Sequence, residues 1–330
     1  MTMRVLVTGA TGFVGSHTTA ALVSAGHEVV VLARNPARVP AALDRHGVRA
    51  EVVVGDMTDE AEVRSAVAGC DAVVHAAAQV GVRGGAAGET NLIGARTVIG
   101  SAIDAGVRRI VFTSSVVVHL PSDAPVITLD SPLSEPMSAY GVTKVETERL
   151  IRRWQDAGHP ITTVVLGGVY GPDAPDLINS FTAVLSAVEQ MMLVPPGGTT
   201  VIDVRDVALL LTRILESDTS APRVLAGGHF LRWDDWVVAL ERALGHPIAS
   251  HRVTTDELVA LARDLTAAAG PDEPPVLTEE AAMVMISGMP LDDHACLTRF
   301  GVSLTPLDRT FADVIEYLRT IGRLPRERRP

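Results

Sequence analysis

Tyr140 and Lys144 are the residues whose types and spacing most directly indicate proton-transfer chemistry in this sequence. They lie four positions apart in the segment YGVTK, so on a helix they share one face. A free tyrosine has a pKa of about 10 and is a weak acid–base group at neutral pH. A neighbouring ammonium group stabilises the phenolate and lowers that pKa. The pair therefore predicts a group that exchanges a proton with a substrate oxygen.

Two serines, Ser114 and Ser115, follow the apolar run RIVFT and add a hydroxyl donor. A serine at the carboxyl end of a buried strand lies at the sheet edge where α/β folds bind ligands, and it can donate to a carbonyl or alkoxide. Singly, each residue has an ordinary explanation: Tyr140 packs, Lys144 is solvated and Ser115 caps a turn. Together, and after the glycine motif described next, they predict a catalytic trio of Ser115, Tyr140 and Lys144.

A glycine motif, TGATGFVG at 8–15, lies directly after a predicted strand and before a predicted helix. Glycine at 9, 12 and 15 permits a tight turn and a close approach of a pyrophosphate to the backbone. The N-terminus of the following helix offers unpaired N–H groups to phosphate oxygens. The motif predicts a dinucleotide cofactor. The contacts expected here are Gly9, Thr11, Gly12, Phe13, Val14 and Gly15.

Two arginines, Arg34 and Arg38, follow the second predicted strand, where an NAD site usually places a carboxylate for the ribose 2′-hydroxyl. A guanidinium is the natural partner of a 2′-phosphate. The sequence therefore favours NADP(H) over NAD(H). The alternative is that both arginines belong to a solvated loop and helix start.

Further cofactor contacts are expected after the third and fourth predicted strands. Asp56 and Met57 lie where an adenine would bind, although Asp56 could equally cap a helix. The small residues Ala76, Ala77 and Ala78 would let a cofactor pass close to the backbone. His75, just before them, is interpreted as a satisfied core or edge histidine.

The elements that must position these residues alternate between short apolar runs and segments of helical spacing. Runs that are apolar throughout and separated by helices are typical of an α/β fold with a doubly wound parallel sheet of the Rossmann type. We place a dinucleotide-binding domain at 1–170, with further core elements near 200–225, and a smaller, mainly substrate-binding portion at 171–330. Strands are predicted at 4–8, 28–33, 52–54, 72–75, 109–113 and 161–166, and helices at 16–25, 60–68, 91–105 and 140–157.

Composition limits the class of protein. The 330 residues are 47% hydrophobic and carry a net charge of −11, which is globular composition and argues against nucleic acid as a main partner. No apolar run approaches the ~18–20 residues of a membrane span, and no signal peptide precedes the first strand. The two distant cysteines, Cys70 and Cys296, form no disulfide framework, so we expect a cytoplasmic protein without a metal site.

The motifs together resemble the extended short-chain dehydrogenase/reductase family over nearly the whole chain. The resemblance implies that Ser115, rather than Ser114, acts with Tyr140 and Lys144, and that Lys144 holds the nicotinamide ribose. It also implies a homodimer through the helices that carry Asn91 and Tyr140. Ser114, Tyr140, Lys144, Leu166 and Val169 complete the expected cofactor contacts. The motifs are TGATGFVG, GDMTD at 55–59, Asn91, VFTSS at 111–115, YGVTK, GGVYGP at 167–172 and IDVRDVA at 202–208.

Within that family the sequence is most similar to the dihydroflavonol-reductase-like and hydroxysteroid-dehydrogenase-like branch. Val116 and Val117 stand where dehydratases carry Asp-Glu, and the segment 199–201 lacks the diphosphate-binding arginine of nucleotide-sugar enzymes. These features favour NADP(H)-dependent interconversion of a carbonyl and a secondary alcohol on an apolar small molecule. An NAD-retaining epimerase or dehydratase and a non-catalytic NADP(H) sensor stay as alternatives. The expected substrate contacts are Val80, Val117, His119, Met137 and Tyr170, with His119 either lining the pocket or filling space.

Overall fold

The computed structural model describes residues 1–79, 84–135, 139–177, 180–218, 221–269 and 277–325. For residues 84–88, 139 and 140 it describes the helical backbone but not the side chains. Val80 and Met137, both predicted substrate contacts, lie outside the described residues.

Twelve strands lie within the described residues, most of them short. The six predicted strands are all present, and β5 continues two residues beyond its predicted end, to Ser115. The strands are β1 (Arg4–Thr8), β2 (Glu28–Ala33), β3 (Glu51–Val54), β4 (Ala72–His75), β5 (Arg109–Ser115), β6 (Ile161–Leu166), β7 (Val169–Tyr170), β8 (Met192–Val194), β9 (Gly198–Asp203), β10 (Arg223–Ala226), β11 (His229–Arg232) and β12 (Ser250–Arg252).

Twelve α-helices accompany these strands in the same part of the chain. Two 3-10 helices, Asp44–His46 and Val116–His119, follow α2 and β5. The α-helices are α1 (Phe13–Ser24), α2 (Arg38–Leu43), α3 (Glu60–Val67), α4 (Gly84–Asp104), α5 (Ala139–Asp156), α6 (Ser180–Glu189), α7 (Val204–Glu216), α8 (Trp233–Leu244), α9 (Thr255–Ala268), α10 (Glu279–Ser287), α11 (His294–Arg299) and α12 (Leu307–Thr320).

Seven parallel strands form the main sheet in the order β10-β6-β5-β4-β1-β2-β3. The direction of winding reverses between β1 and β4. In open α/β sheets, ligands bind beyond the carboxyl ends of the strands at such a reversal. The predicted glycine motif follows β1 and the predicted alanines follow β4, so the topology brings both to this point.

Alternate residues of the central strands are buried in different clusters on the two faces of the sheet. In β1, Val5 and Val7 pack with Leu22 of α1 and Leu211 of α7. Leu6, between them, packs with residues of α3, α4 and α5, including Ile99. Burial on both faces explains the uninterrupted apolar runs of the strands. The predicted Rossmann-type fold is confirmed.

The C-terminal part of the chain contributes to two cores. One surrounds Trp236, with Phe181 and Phe311, beside the small sheet β11-β9-β7. The other is the main core, because β10 pairs with β6 and the α11 residue Leu297 packs in the same cluster as β1. The predicted division at residue 170 stays a prediction.

The starts of two helices differ from the predictions by three residues or more. α1 begins at Phe13 rather than 16, because Gly15 lies inside the helix instead of before it. A Cβ at Gly15 would overlap the carbonyl of Gly9, so close packing requires glycine at a position where helical propensity disfavours it. α4 begins at Gly84 rather than 91. Among the described residues, no helix is long and apolar enough to cross a membrane, and Cys70 and Cys296 are both free thiols.

Candidate active site

The turn after β1 is built from glycines for two different reasons. Gly9 has a φ of +80°, and a Cβ there would lie 2.6 Å from the backbone nitrogen of Ala77. Gly9 and Gly15 are therefore required by the packing of the protein itself. At Gly12, by contrast, a Cβ would meet only the Gly9 carbonyl oxygen, at 3.3 Å. An approaching ligand explains glycine at this position better than the neighbouring protein atoms do.

The N-terminus of α1 fits a dinucleotide phosphate. Gly12 is the N-cap residue and no side chain caps the helix, so the first N–H groups are available to an anion. Thr11, Phe13 and Val14 flank it and are partly exposed. The arrangement meets the needs of a pyrophosphate at the end of β1, although the individual contacts stay predictions.

The segment after β4 is held in place by two polar contacts. Asn91 of α4 is buried; it accepts a hydrogen bond from the Gln79 nitrogen at 2.7 Å and donates to the Gln79 oxygen at 2.9 Å. His75 is buried with Nδ1 2.7 Å from Thr8 Oγ1, and burial lowers its pKa to about 3. His75 is thus a satisfied core histidine, as expected. Ala76 and Ala77 lie against Gly9 of the glycine turn, and Ala78 follows them in the sequence.

The two arginines after β2 have different partners. The Arg34 side chain is 64% exposed, and its nearest carboxylate oxygen, on Asp56, is 3.8 Å away. Arg38 instead donates two hydrogen bonds to Asp176, at 2.7 and 3.0 Å. Arg34 is therefore the more available cation, whereas Arg38 already has a carboxylate partner 138 residues away in sequence.

Asp56 and Met57 also have internal contacts. Burial opposes ionisation of Asp56, but hydrogen bonds from Thr58 and the charge of Arg34 lower its pKa overall. The N-cap of α3 is Asp59, so Asp56 does not cap that helix. The Met57 thioether lies against Gly94 of α4, where a Cβ would come within 2.8 Å of its sulfur.

Ser114 and Ser115 end β5 and face different surroundings. Ser114 is buried, and its hydroxyl donates to Glu148 Oε2 at 2.8 Å. Its hydroxyl proton is therefore engaged by Glu148, and a cofactor contact of Ser114 stays a prediction. Ser115 is partly exposed and caps the following 3-10 helix, with its Oγ 3.4 Å from the Val117 nitrogen. Ser115 is therefore the serine whose hydroxyl can reach a ligand.

Lys144 lies one turn after Tyr140 on α5 and is buried, with 7% of its surface exposed. Burial lowers the pKa of its ammonium group to about 8, against the raising effect of Glu148. The ammonium also lies near enough to His75 to depress the pKa of that histidine further. The helix therefore places a cation at the carboxyl ends of β4 and β5, one turn from the backbone of Tyr140.

Glu148 is the residue of this site that the sequence reasoning missed. It is fully buried one turn beyond Lys144, and it contacts Ser114 and, at 3.5 Å, Nε of Arg152. Its spacing from Tyr140 and Lys144 repeats the four-residue step, so the shared helical face of positions 140, 144, 148 and 152 is a signal that could have found it.

Two of the predicted substrate contacts, Tyr170 and His119, are buried among protein atoms. Tyr170 is buried with Phe311, its hydroxyl accepts from Trp236 Nε1 at 3.2 Å, and burial raises its pKa to about 12. His119 is also buried, with Nδ1 2.7 Å from the Pro132 carbonyl, which agrees with the space-filling alternative. Both have protein hydrogen-bond partners for their polar atoms, and their contact with a substrate stays a prediction. Val117 is partly exposed beside Ser115 and stays a candidate.

Leu166 and Val169 end the predicted cofactor set. Leu166 is buried at the end of β6, opposite Ser115 of β5, and Val169 is partly exposed at the start of β7. Both lie near the carboxyl edge of the sheet, and their contacts with a cofactor stay predictions.

Comparisons with known proteins agree with this geometry. A family described as the NAD dependent epimerase/dehydratase family matches residues 5–227. The sterol demethylase protein B of Methylococcus capsulatus is 29% identical over 97% of this chain and 99% of that protein. The 3-beta-hydroxysteroid dehydrogenase of Mycolicibacterium neoaurum is 39% identical over 34% of this chain and 32% of that protein.

A solved structure shares the fold along the whole chain. The UDP-glucose 4-epimerase from Bifidobacterium longum, in complex with NAD+ and UDP, has a TM-score of 0.75 and 21% identity. The match covers 97% of this chain and 99% of that one. At this identity the match shows a shared arrangement of elements. The reaction has to be inferred from the residues of the site.

Proposed function

The chain belongs to the NAD-dependent epimerase/dehydratase family, as its motifs predict, and on that premise we propose that it is an NADP(H)-dependent oxidoreductase. The family comprises enzymes of the extended short-chain dehydrogenase/reductase type that use a nicotinamide cofactor. The proposed reaction interconverts a carbonyl and a secondary alcohol on a mainly apolar small molecule. The observation that carries it is the buried Lys144 ammonium, which lies one helical turn from Tyr140 and near His75 at the end of β4, while Ser115 ends the neighbouring strand β5.

Residues of the chain itself supply the proton and hold the substrate oxygen in position. When bound, the nicotinamide supplies or accepts a hydride. In the reductive direction, the Tyr140 phenol gives its proton to the carbonyl oxygen. The Tyr140 side chain lies outside the described part of the structure. The Ser115 Oγ donates a hydrogen bond to the same oxygen and fixes its position. The Lys144 ammonium favours the resulting phenolate and holds the nicotinamide ribose.

The NADP(H) preference rests on Arg34. Its guanidinium is largely exposed, and its pairing with Asp56 at 3.8 Å is too long to compete strongly with a phosphate. Arg38 can join it only by sharing or leaving Asp176. We therefore assign the main contact with the 2′-phosphate to Arg34 and a secondary one to Arg38.

The apolar nature of the substrate is supported by the relatives and by the residues around Ser115. The names of the two relatives above refer to sterols and steroids. Val116 and Val117 are partly exposed next to Ser115 and offer no charge to a nucleotide-sugar diphosphate. The same proposal includes a homodimer through α4 and α5, on which Ile93 and Val142 are exposed apolar residues, and a cytoplasmic location.

Calorimetry of NADPH and NADH binding tests the cofactor part. We expect NADPH to bind wild type at least tenfold more tightly than NADH, because a charge-assisted contact contributes about 1.5–3 kcal/mol. Arg34→Ala should remove most of that preference, whereas Arg49→Ala should keep it, because Arg49 is an exposed arginine before the amino end of β3, at the opposite edge of the sheet from Arg34. Equal binding of the two cofactors in wild type would contradict the assignment.

Turnover separates the proposed reaction from its alternatives. With NADPH and a panel of apolar ketones, wild type should oxidise the cofactor, and Tyr140→Phe should lose at least a hundredfold in kcat. Purified protein that retains NAD+ without net turnover would favour an epimerase or dehydratase. Binding of NADPH with no turnover, and no effect of Tyr140→Phe, would favour a sensor.

A further inference from the structure

Three side chains from separate segments converge outside the site described above. They are His17 in the second turn of α1, His46 at the end of the 3-10 helix after α2, and Asp173 in the loop after β7. One ring nitrogen of each histidine and one carboxylate oxygen all lie within 4.8 Å of one another. Two imidazoles and a carboxylate are ligands that Zn²⁺ prefers, and three protein ligands suit a site with a further open position.

His17 is oriented as a metal ligand would be. It is buried, and its Nδ1 donates to the Phe13 carbonyl oxygen at 3.1 Å. That bond fixes the tautomer and leaves Nε2 as the ring's lone-pair nitrogen, which is the usual outer-shell arrangement of zinc-bound histidines. Burial, together with His46, lowers the pKa of His17 to about 4, so the ring is neutral at pH 7.

His46 has an unsatisfied nitrogen in the same place. Its Nε2 is buried and has no hydrogen-bond partner among the described residues. The His46 ring lies 4.4 Å from the His17 ring, centroid to centroid. A buried polar atom without a partner costs about 1–3 kcal/mol, so its persistence calls for an explanation such as an ion.

Asp173 is placed by an unusual backbone. It is the one non-glycine residue of the described ranges with a positive φ, +60°. Aspartate and asparagine tolerate this region better than other side chains do, but they still lose some stability there. This turn directs the Asp173 carboxylate to the two histidines. Asp173 lies 127 residues after His46 in the sequence (173 − 46).

We propose that His17, His46 and Asp173 bind one Zn²⁺ ion, with water as the fourth ligand. Zinc–nitrogen and zinc–oxygen bonds of about 2.0–2.2 Å place tetrahedral ligand atoms about 3.3 Å apart. The separations between the three ligand atoms shorten to this value if each atom moves by less than about 1 Å. The inference is independent of the proposed oxidoreductase function.

The charged groups around the cluster do not exclude a cation. Arg205 is held by Asp203 and by Asp313, and Arg45 donates to the Ala174 carbonyl and to the Tyr317 hydroxyl. Asp313 is also paired with Arg309, so together with Asp173 three carboxylates face three guanidinium groups. The surrounding charges balance, and both Arg45 and Arg205 are engaged by partners other than the two histidines.

Titration of chelator-treated protein with Zn²⁺ alone, by calorimetry and by competition with a chromophoric chelator, tests the proposal. We expect one saturable ion per chain and a rise of the melting temperature on binding. Asp173→Asn keeps the shape and the left-handed backbone preference, and His46→Gln removes one ring. Each should weaken binding at least tenfold. Asp264→Asn and His251→Gln, at exposed positions, are matched controls that should bind as wild type does.

Co²⁺ provides a readout of the ligand geometry. A visible ligand-field spectrum of tetrahedral intensity is expected in wild type and should be lost in Asp173→Asn. Absence of saturation at one equivalent in wild type would overturn the proposal. Unchanged affinity in folded Asp173→Asn would do so as well, and if His46→Gln does not fold, the Asp173 variant decides alone.

Discussion

The protonation state of Lys144 depends on one buried neighbour. Burial lowers the pKa of its ammonium group to about 8, and Glu148, one turn further along α5, opposes that shift. At pH 7 the ammonium form therefore predominates, but with little margin. If the charge of Lys144 is needed for proton transfer, Glu148 sets the pH range in which the site works.

Glu148→Gln should move the pH dependence of reduction. Removing the carboxylate lowers the pKa of Lys144, so the loss of kcat/KM at alkaline pH should begin about one pH unit lower than in wild type. Glutamine can still accept the hydrogen bond from Ser114, which keeps the local shape. The measurement is the pH profile of kcat/KM for NADPH-dependent reduction of an apolar ketone.

Glu146→Gln is the matched control, because Glu146 is exposed on the same helix and should leave the profile unchanged. An unshifted profile in Glu148→Gln, with the circular dichroism spectrum and kcat/KM at pH 6 retained, would show that Glu148 does not govern Lys144.

At the scale of residues, type and spacing predicted the groups that lie close in sequence. Tyr140 and Lys144 share a helical face, and Ser115 ends a strand, so local rules sufficed. Arg38 was different, since its pairing with Asp176 depends on a loop far away in the chain. The burial of Tyr170 against Trp236 was likewise beyond local rules, because it is decided by the packing of α8 and α12.

At the scale of elements, the strand–turn–helix unit β1–α1 contains glycines of two kinds. Gly9 and Gly15 are needed for folding, whereas Gly12 is needed for binding. Gly15→Ala should lower the free energy of unfolding by at least about 2 kcal/mol, since its Cβ would overlap the Gly9 carbonyl. Gly12→Ala should cost less than about 1 kcal/mol but weaken NADPH binding at least tenfold, because the Cβ would occupy space next to the pyrophosphate. Urea unfolding and calorimetry measure the two effects.

Gly100→Ala provides the control within a helix. A Cβ there meets nothing within 4 Å, so this variant should keep cofactor binding and gain about 0.5–1 kcal/mol of stability. Wild-type affinity for NADPH in Gly12→Ala would remove the case for a ligand-facing glycine.

The central strands were the elements easiest to predict, because strands buried on both faces have continuous apolar sequences. β1, β2, β4 and β6 have the predicted bounds. The short strands β7, β8, β11 and β12 were missed: with two to four residues each, they are fixed by pairing with distant partners and carry no periodicity of their own.

At the scale of the whole molecule, one polar junction joins the nucleotide-binding part to the C-terminal helix α12. The Tyr317 hydroxyl donates to the Ala174 carbonyl at 2.6 Å and accepts from Arg45 at 2.7 Å. Tyr317→Phe removes both bonds from a buried position and should lower the free energy of unfolding by about 1–3 kcal/mol in urea titrations.

Asp308→Asn tests whether the position of the junction matters. Asp308 forms an exposed pair with Arg242 that also involves α12, and its loss should cost less than about 1 kcal/mol. An equal effect of both substitutions would mean that the Tyr317 junction contributes no more than an ordinary surface pair.

The position of β10 beside β6 bears on how the chain acquires its structure during synthesis. Until residues 223–226 have been made, β6 is the outermost strand of the sheet, and its unpaired backbone and apolar sequence ITTVVL are available to other chains. A ribosome-bound or truncated product that ends near residue 170 would therefore expose an unpaired strand edge to other chains. Expression of the first 170 residues alone should yield aggregates, although every residue of the predicted catalytic trio is present in that fragment.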